Sequence, residues 1–354
     1  MCKIVLENLA YISQHVGKSA DYTQGGGGNT SAKIDDKHMA VKASGFKLSQ
    51  ITPKDGYVIV DYEKIREYHK NADLSADTDY EKESTEFVKS NIIEVEGLAK
   101  LRPSVEAGFH SILQKYVVHT HSVYANILCC TENGKEIVQK AFKDKDYATA
   151  WIPYINPGFF LTLEINKAIN ESLENSGKFP QAIFMENHGL VVTSVDAADC
   201  IELHDDVNET IKKYLGIQEE YPEVKIESID ENTFKSNTRY LIDIFSSNQI
   251  DSDFIDRNVL YPDQLVYLNG NIDFNGSDKK ISINSKTGDI VYCTSFSEAM
   301  AMDETLAAYF YVIFGIKKHG LTLKTMTEKD IGYILNWEGE AYRKSIIQKG
   351  KIKS

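Results

Sequence analysis

A chain of 354 residues, 42% hydrophobic and 26% charged, has material for one large core or two ordinary ones and too little polar bias for bulk disorder. Its 39 Lys and Arg against 52 Asp and Glu leave a net charge of −13, which argues against the clustered basic surface that binds nucleic acid. No uninterrupted apolar run approaches the roughly 20 residues that span a bilayer, and Glu7 and Asn8 interrupt the N-terminus where a signal peptide would be apolar.

Ile4, Val5, Leu9, Ile12 and Val16 recur near a helical period and predict a helix over 3–16. Four glycines, 25–28, then lead into Asn29, Thr30 and Ser31. Met39 to Lys42 predicts a short strand, closed by a turn at Ser44 and Gly45. YVIVDYEKI, from Tyr57, predicts a strong strand and a short helix. Residues 71–83 are polar and acidic and read as an exposed connection. A helix is expected from Ser84, as its N-cap, to Lys100. Pro103 opens another, since proline suits a first helical turn. VVHTHSVYA, Val117 to Ala125, reads as a buried strand.

A helix over Gly134 to Phe142 follows, and then WIPYINPG as a loop into a further helix. FPQAIFMENHGLVVTS predicts two strands joined at Asn187, His188 and Gly189. A long helix within 195–214 ends on Lys212 and Lys213, as the helix dipole favours. The composition turns acidic and irregular near 216, which divides the chain into regions 1–216 and 217–354. In the second region a hairpin turns at Thr287 and Gly288. Two helices close it, the second opened by a capping box of Thr327 and Asp330 and carrying Trp337 and Tyr342 as core positions. The five cysteines, at 2, 129, 130, 200 and 293, form no CxxC pair. Their scatter leads us to expect a reducing, cytoplasmic setting.

Residues i and i+2 of a strand share a face, so His119 and His121 aim two imidazoles at one point. His188, at a turn after an apolar strand, is the third candidate. Three imidazoles with one oxygen suit Zn2+ or a similar divalent ion. Glu106 is the candidate oxygen, or else an acid that complements a helix N-terminus. His110 shares its helix face and reads more simply as a core hydrogen-bonding residue.

The glycine loop can bring backbone N–H groups close to an anion, with Asn29, Thr30 and Ser31 as added donors. Lys42, Ser44, Gly45 and Ser104 could extend such a phosphate cradle. The competing reading is a plain connector. The loop matches neither a P-loop nor a dinucleotide fingerprint. Tyr154 is a candidate proton donor or a packing residue.

GGGGNTS, SG, PSVE followed by His110, HTH, PYINPG and ENHG, in that order, resemble the class II (metal-dependent) aldolase/adducin family over roughly residues 5–215. KASGFKLSQI, RPSVE and the appended C-terminal region look most like the aldolase part of bifunctional rhamnulose-phosphate aldolase/short-chain dehydrogenase proteins. No nucleotide fingerprint follows here.

The resemblance implies an α/β fold, a three-layer α/β/α sandwich around a largely antiparallel sheet, with a smaller α/β region after it. It implies zinc on His119, His121 and His188, with Glu106 as fourth ligand and acid/base residue. Asn29, Ser44, Gly45 and Ser104 would line a phosphate pocket, and Tyr154 would reach a neighbouring subunit's site in a tetramer. Fuculose-phosphate aldolases carry two serines before the glutamate; here the second is Val105, and Lys42 is the compensating group.

The implied reaction is cleavage of a ketose 1-phosphate, L-rhamnulose 1-phosphate first, to dihydroxyacetone phosphate and an aldehyde through a metal-stabilised enediolate. Pentulose-phosphate 4-epimerases and sugar-acid decarboxylases are the rival chemistries. A non-catalytic adducin-like module is the rival role, although it needs no metal set. The expected partners are a small sugar phosphate and further copies of the chain, with neither nucleic acid nor membrane.

Overall fold

The computed structural model describes residues 2–336; Trp337, Tyr342 and the rest of the C-terminal stretch lie outside the described residues. Helix α1 (Cys2–Gly17) leads through the glycine loop into β1 (Asn29–Lys33), β2 (His38–Lys42) and β3 (Tyr57–Asp61). Then come α2 (Tyr62–Asn71), α3 (Tyr80–Ser90), α4 (Ala107–Ile112), β4 (Tyr116–Thr120), α5 (Val123–Cys129) and α6 (Gly134–Ala141). They are followed by β5 (Ala148–Ile152), α7 (Phe159–Ser176), β6 (Pro180–Met185), β7 (Gly189–Ser194) and α8 (Ala197–Leu215).

The strands form one seven-stranded sheet in the order β3-β2-β1-β4-β7-β6-β5. Every pairing is antiparallel except β5 with β6. Strand alternation divides the sheet's side chains between two helical layers. Val118, Phe184 and Val192 pack with Leu9 and Ile12 of α1 and with Cys200 and Val207 of α8. Val117, Ile183 and Val191 face the other way, onto Phe109 of α4 and Ile165 of α7. The expected sandwich with a largely antiparallel sheet is therefore present.

Several local expectations are corrected. The helix expected from Ser84 starts at Tyr80, because Asp79 caps it by accepting from the Lys82 amide. Ser84 is a buried position inside it, and 91–100 are not helical. Glu81 of the same helix accepts the Phe159 and Phe160 amides at the start of α7, at 2.7 and 3.2 Å. The end of the acidic stretch is thus a helix brace. Pro103 opens no helix and bridges to Ala43 across the sheet edge.

The strand expected through Ala125 stops at Thr120, because Ser122 caps α5 by accepting from the Ala125 amide. That local bond overrides the β propensity of Val123 and Tyr124. β1 and β5 were not expected. NTSAK is polar and forms a strand because it lies between two others, with Asn29 opposite His119 and Ser31 opposite Val41.

The C-terminal elements are β8 (Ile226–Asp230), β9 (Thr233–Ser236), α9 (Arg239–Ser247), α10 (Ser252–Arg257), α11 (Pro262–Tyr267), β10 (Ile272–Phe274), β11 (Ile281–Ile283), β12 (Ile290–Cys293), α12 (Phe296–Lys318) and α13 (Glu328–Asn336). Their strands form a second sheet, ordered β10-β11-β12-β9-β8. β8 and β9 lie inside the stretch read as an irregular boundary. The hairpin between β11 and β12 turns as expected, with Gly288 at φ 74°.

α12 is long and apolar enough by composition to cross a membrane, although Glu298, Asp303 and Glu304 interrupt its apolar run and 72% of its most apolar window is buried inside the fold. It packs so closely on α5 that a Cβ at Gly315 would stand 2.7 Å from Ile127 Cδ1. The main apolar core runs through this contact, so both regions share it.

Candidate metal centre and its pocket

His119 is the penultimate residue of β4, His121 follows two residues later, and His188 sits on the β6–β7 turn, where Asn187 adopts a left-handed φ of 48°. One ligand nitrogen from each lies within 4.8 Å of the others, and all three rings are buried. His119 Nδ1 donates to the Leu190 carbonyl at 3.0 Å. His121 Nδ1 donates to Asp263 Oδ2 at 2.5 Å. Both rings therefore carry their proton on Nδ1 and turn Nε2 lone pairs inward, 3.2 Å apart. Facing lone pairs at that distance repel unless a cation lies between them. Complete burial also holds the His119 imidazole well below its usual range, in the neutral form a ligand needs.

Glu106 completes the set. It precedes α4, at the N-cap position, but its side chain makes no capping bond, so helix complementation is not what holds it. Oε2 lies 3.6 Å from His119 Nε2, and Oε1 lies 3.3 Å from His188 Nε2. Among the described residues, no hydrogen bond reaches the buried Oε1. Burial alone would raise the Glu106 carboxyl. The neighbouring imidazoles, His119 first, lower it to the extent that those rings carry charge. Three imidazoles and one carboxylate converging on one point fit a divalent ion of the Zn2+ type.

Asn29 holds the carboxylate in place. Its Nδ2 donates to Glu106 Oε2 at 2.5 Å and to Ser104 Oγ at 3.2 Å. Its carbonyl accepts from His110 Nε2, and Ser31 meets the far side of that ring at 2.7 Å. His110 is thus the hydrogen-bonding core residue, kept neutral by burial, its pKa pushed down to about 3. Thr30, expected among the phosphate donors, points to the opposite face of β1, where its hydroxyl meets Ser13 at 2.6 Å.

An open pocket lies over Glu106, His121 and His188. Gly26, Gly28, Asn29, Lys42, Ser44, Gly45, Ser104 and Val105 also line it. The Ala43–Pro103 bridge and the Ser44 amide on the Arg102 carbonyl, at 2.8 Å, bring the two serine segments together. Gly45, at φ 87°, makes the turn that a side chain would strain. Lys42 Nζ reaches the Gly26 carbonyl at 3.4 Å. Tyr154 does not line this pocket in the single chain. Its hydroxyl donates to Asn156, and its ring packs with Val259, Met326 and Tyr333.

The first two glycine-loop amides already have partners. Gly25 N–H donates to Glu304 at 2.6 Å, and Gly26 N–H donates to Tyr267 at 3.0 Å. Both partners come from the C-terminal region. So does Asp263, which the sequence reading missed. Asp263 stands 142 residues from His121, in a segment with no metal-ligand spacing. Its only sequence signal was an acid beside Pro262, at the start of a short helix.

A family model, the class II aldolase and adducin N-terminal domain, matches residues 7–215. A Bacillus subtilis (strain 168) protein named uncharacterized oxidoreductase YuxG is 27% identical over 220 residues, 60% of this chain and 30% of that protein. This chain therefore spans less than a third of that relative's length. A 3-oxo-tetronate 4-phosphate decarboxylase from Haemophilus influenzae is 25% identical over 210 residues, 56% of this chain and 80% of that one. The solved N-terminal class II aldolase domain of a conserved Thermoplasma acidophilum protein aligns at 21% identity with a TM-score of 0.49, over 59% of this chain and 93% of that one.

Proposed function

We propose that this chain, which belongs to the class II aldolase and adducin family, is a divalent-metal aldehyde-lyase that cleaves a ketose 1-phosphate, with L-rhamnulose 1-phosphate as the first substrate to test. The observation that supports the reading is the convergence of His119, His121, His188 and Glu106 beside a pocket that Lys42, Ser44, Gly45 and Ser104 also line. The first group suits a carbonyl and its neighbouring hydroxyl, and the second an anion.

His119, His121 and His188 would hold the ion, with Glu106 beside it. The ion supplies Lewis-acid polarisation of the substrate carbonyl. Glu106 moves the proton at the substrate carbon next to that carbonyl. Asn29 keeps its Oε2 fixed while Oε1 has no competing hydrogen bond among the described residues. Ser44, Gly45, Ser104 and Lys42 bind and orient the phosphate. Asn29, which lines the same wall, serves Glu106 first. Thr30 is left out because it faces away, and Tyr154 has no reach to the pocket within one chain.

A second reading has one specific support: the 25% identical Haemophilus influenzae relative carries the name of a 3-oxo-tetronate 4-phosphate decarboxylase. Product analysis separates the two. The metal-loaded protein is incubated with a panel of ketose 1-phosphates and with 3-oxo-tetronate 4-phosphate, with an aldehyde trap and carbon dioxide detection in parallel. Aldehyde released from a ketose phosphate, and lost on chelation, supports the aldolase. Carbon dioxide without aldehyde moves the assignment to the decarboxylase. Undiminished turnover after complete metal removal overturns both.

A further inference from the structure

Asp263 lies outside the matched family span, yet it touches the metal centre. We infer that Asp263 is a positioning residue of that centre, and that α11 of the C-terminal region is part of the catalytic apparatus. The inference rests on the metal reading above.

Asp263 is 2% exposed, and its Oδ2 lies 2.5 Å from His121 Nδ1. An imidazole that donates from Nδ1 to a carboxylate has its ring orientation and tautomer fixed, and its Nε2 becomes a better donor to a cation. The leading histidine of the site is thus held by a group from another part of the chain. Gly27 is the clearance for this contact. A Cβ there would stand 2.5 Å from Asp263 Oδ2 and 2.7 Å from His121 Nδ1. One of the four glycines therefore gives way to a carboxylate of the same chain, where the sequence suggested room for a substrate's phosphate.

α11 is itself anchored. Gln264 accepts from the Leu260 amide at 2.9 Å, and the Leu260 carbonyl accepts from Asn187 Nδ2 at 2.8 Å. Asn187 also donates to the Lys324 carbonyl at 2.9 Å, so the turn that presents His188 leans on the same region.

The test is cobalt(II) binding by the full chain, followed by its visible absorption and set against Asp263→Ala, Asp263→Asn and Tyr292→Phe. Asp263→Ala is expected to weaken cobalt binding roughly 10–100-fold, the usual cost of losing such a partner. Asp263→Asn, which keeps an acceptor for Nδ1–H but no charge, should fall between. Tyr292→Phe removes a buried bond to Asp303, 2.6 Å long, between two residues that do not line the pocket. It loosens the C-terminal region and should leave cobalt affinity unchanged.

A folded Asp263→Ala protein with wild-type affinity and spectrum overturns the inference. So does an equal loss in Tyr292→Phe, which would reduce Asp263 to a structural contact. A wild-type chain that binds no cobalt overturns the metal reading itself.

Discussion

Asn29 donates to Glu106 Oε2 at 2.5 Å across 77 positions of sequence, and β-sheet register is what makes the contact possible. Asn29 stands opposite His119 in the β1–β4 pairing, so the residue that holds the acid and the residue that would hold the ion are cross-strand neighbours. Replacing Asn29 with Ala removes this donor and leaves Glu106 free to rotate. Turnover should fall roughly 10–100-fold, as for lost supporting contacts generally, with KM for the sugar phosphate less affected. Unchanged kcat in steady-state kinetics would show that the contact is idle.

Glu106→Gln is the sharper test of the acid/base role. The amide fills the same space and cannot carry the proton. Turnover should drop about 10²–10⁴-fold, the span of general acid–base contributions. Circular dichroism should show an unchanged fold. Near-normal cleavage by this variant would remove Glu106 from the chemistry.

His121→Ala deletes one of the three proposed nitrogen ligands and the ring that meets Asp263 Oδ2. Dialysed protein should retain no stoichiometric metal when measured by elemental analysis. One zinc per chain in this variant would show that the ligand set lies elsewhere.

His110 sets a pH dependence of stability. Its folded pKa is about 3, against an ordinary 6.5. Between those values the unfolded chain binds a proton that the folded chain refuses. The contribution is fully present above 6.5 and is lost as pH falls toward 3, at about 1.4 kcal/mol per pH unit. Urea unfolding at about pH 7.5 and about pH 5.5 reads the slope. The His110→Gln variant, though less stable at the higher pH, should lose about one proton's worth of that slope. An identical slope in both proteins would show that His110 ionises freely in the native state.

Val105 lines the pocket where a second hydroxyl was expected. Val105→Ser adds a donor to the lining of that pocket. One net hydrogen bond is worth about 0.5–1.5 kcal/mol, so KM for a phosphorylated ketose should fall roughly 2–10-fold. An equal fall for the dephosphorylated sugar would place the phosphate away from residue 105.

The metal-facing side chains were legible because each announces itself locally. His119 and His121 share a face by strand period, and His188 sits in an Asn-His-Gly turn. The i, i+2 argument gave the right convergence even though His121 lies one residue beyond the strand. Ser122 was the misread signal: a helix cap was available, and two β-prone residues obscured it. β1 was hidden because its polar residues gain their extended form from neighbours on both sides. Asp263 was out of reach for a different reason. Nothing in its neighbourhood encodes His121, and the contact exists only once two distant segments have packed.

The grip of the C-terminal elements on the centre has a consequence for biosynthesis. The family-matched span ends at residue 215, but the partners of Gly25, Gly26, His121 and Asn187 lie at Glu304, Tyr267, Asp263 and Lys324. A ribosome that has translated the whole matched span has therefore made all four candidate ligands, with the Asn29 and Leu190 that hold Glu106 and His119, but not the Asp263 that holds His121. The full set of contacts around those four exists only after more than a hundred further residues have been made, so an ion held there would be loaded at the end of synthesis.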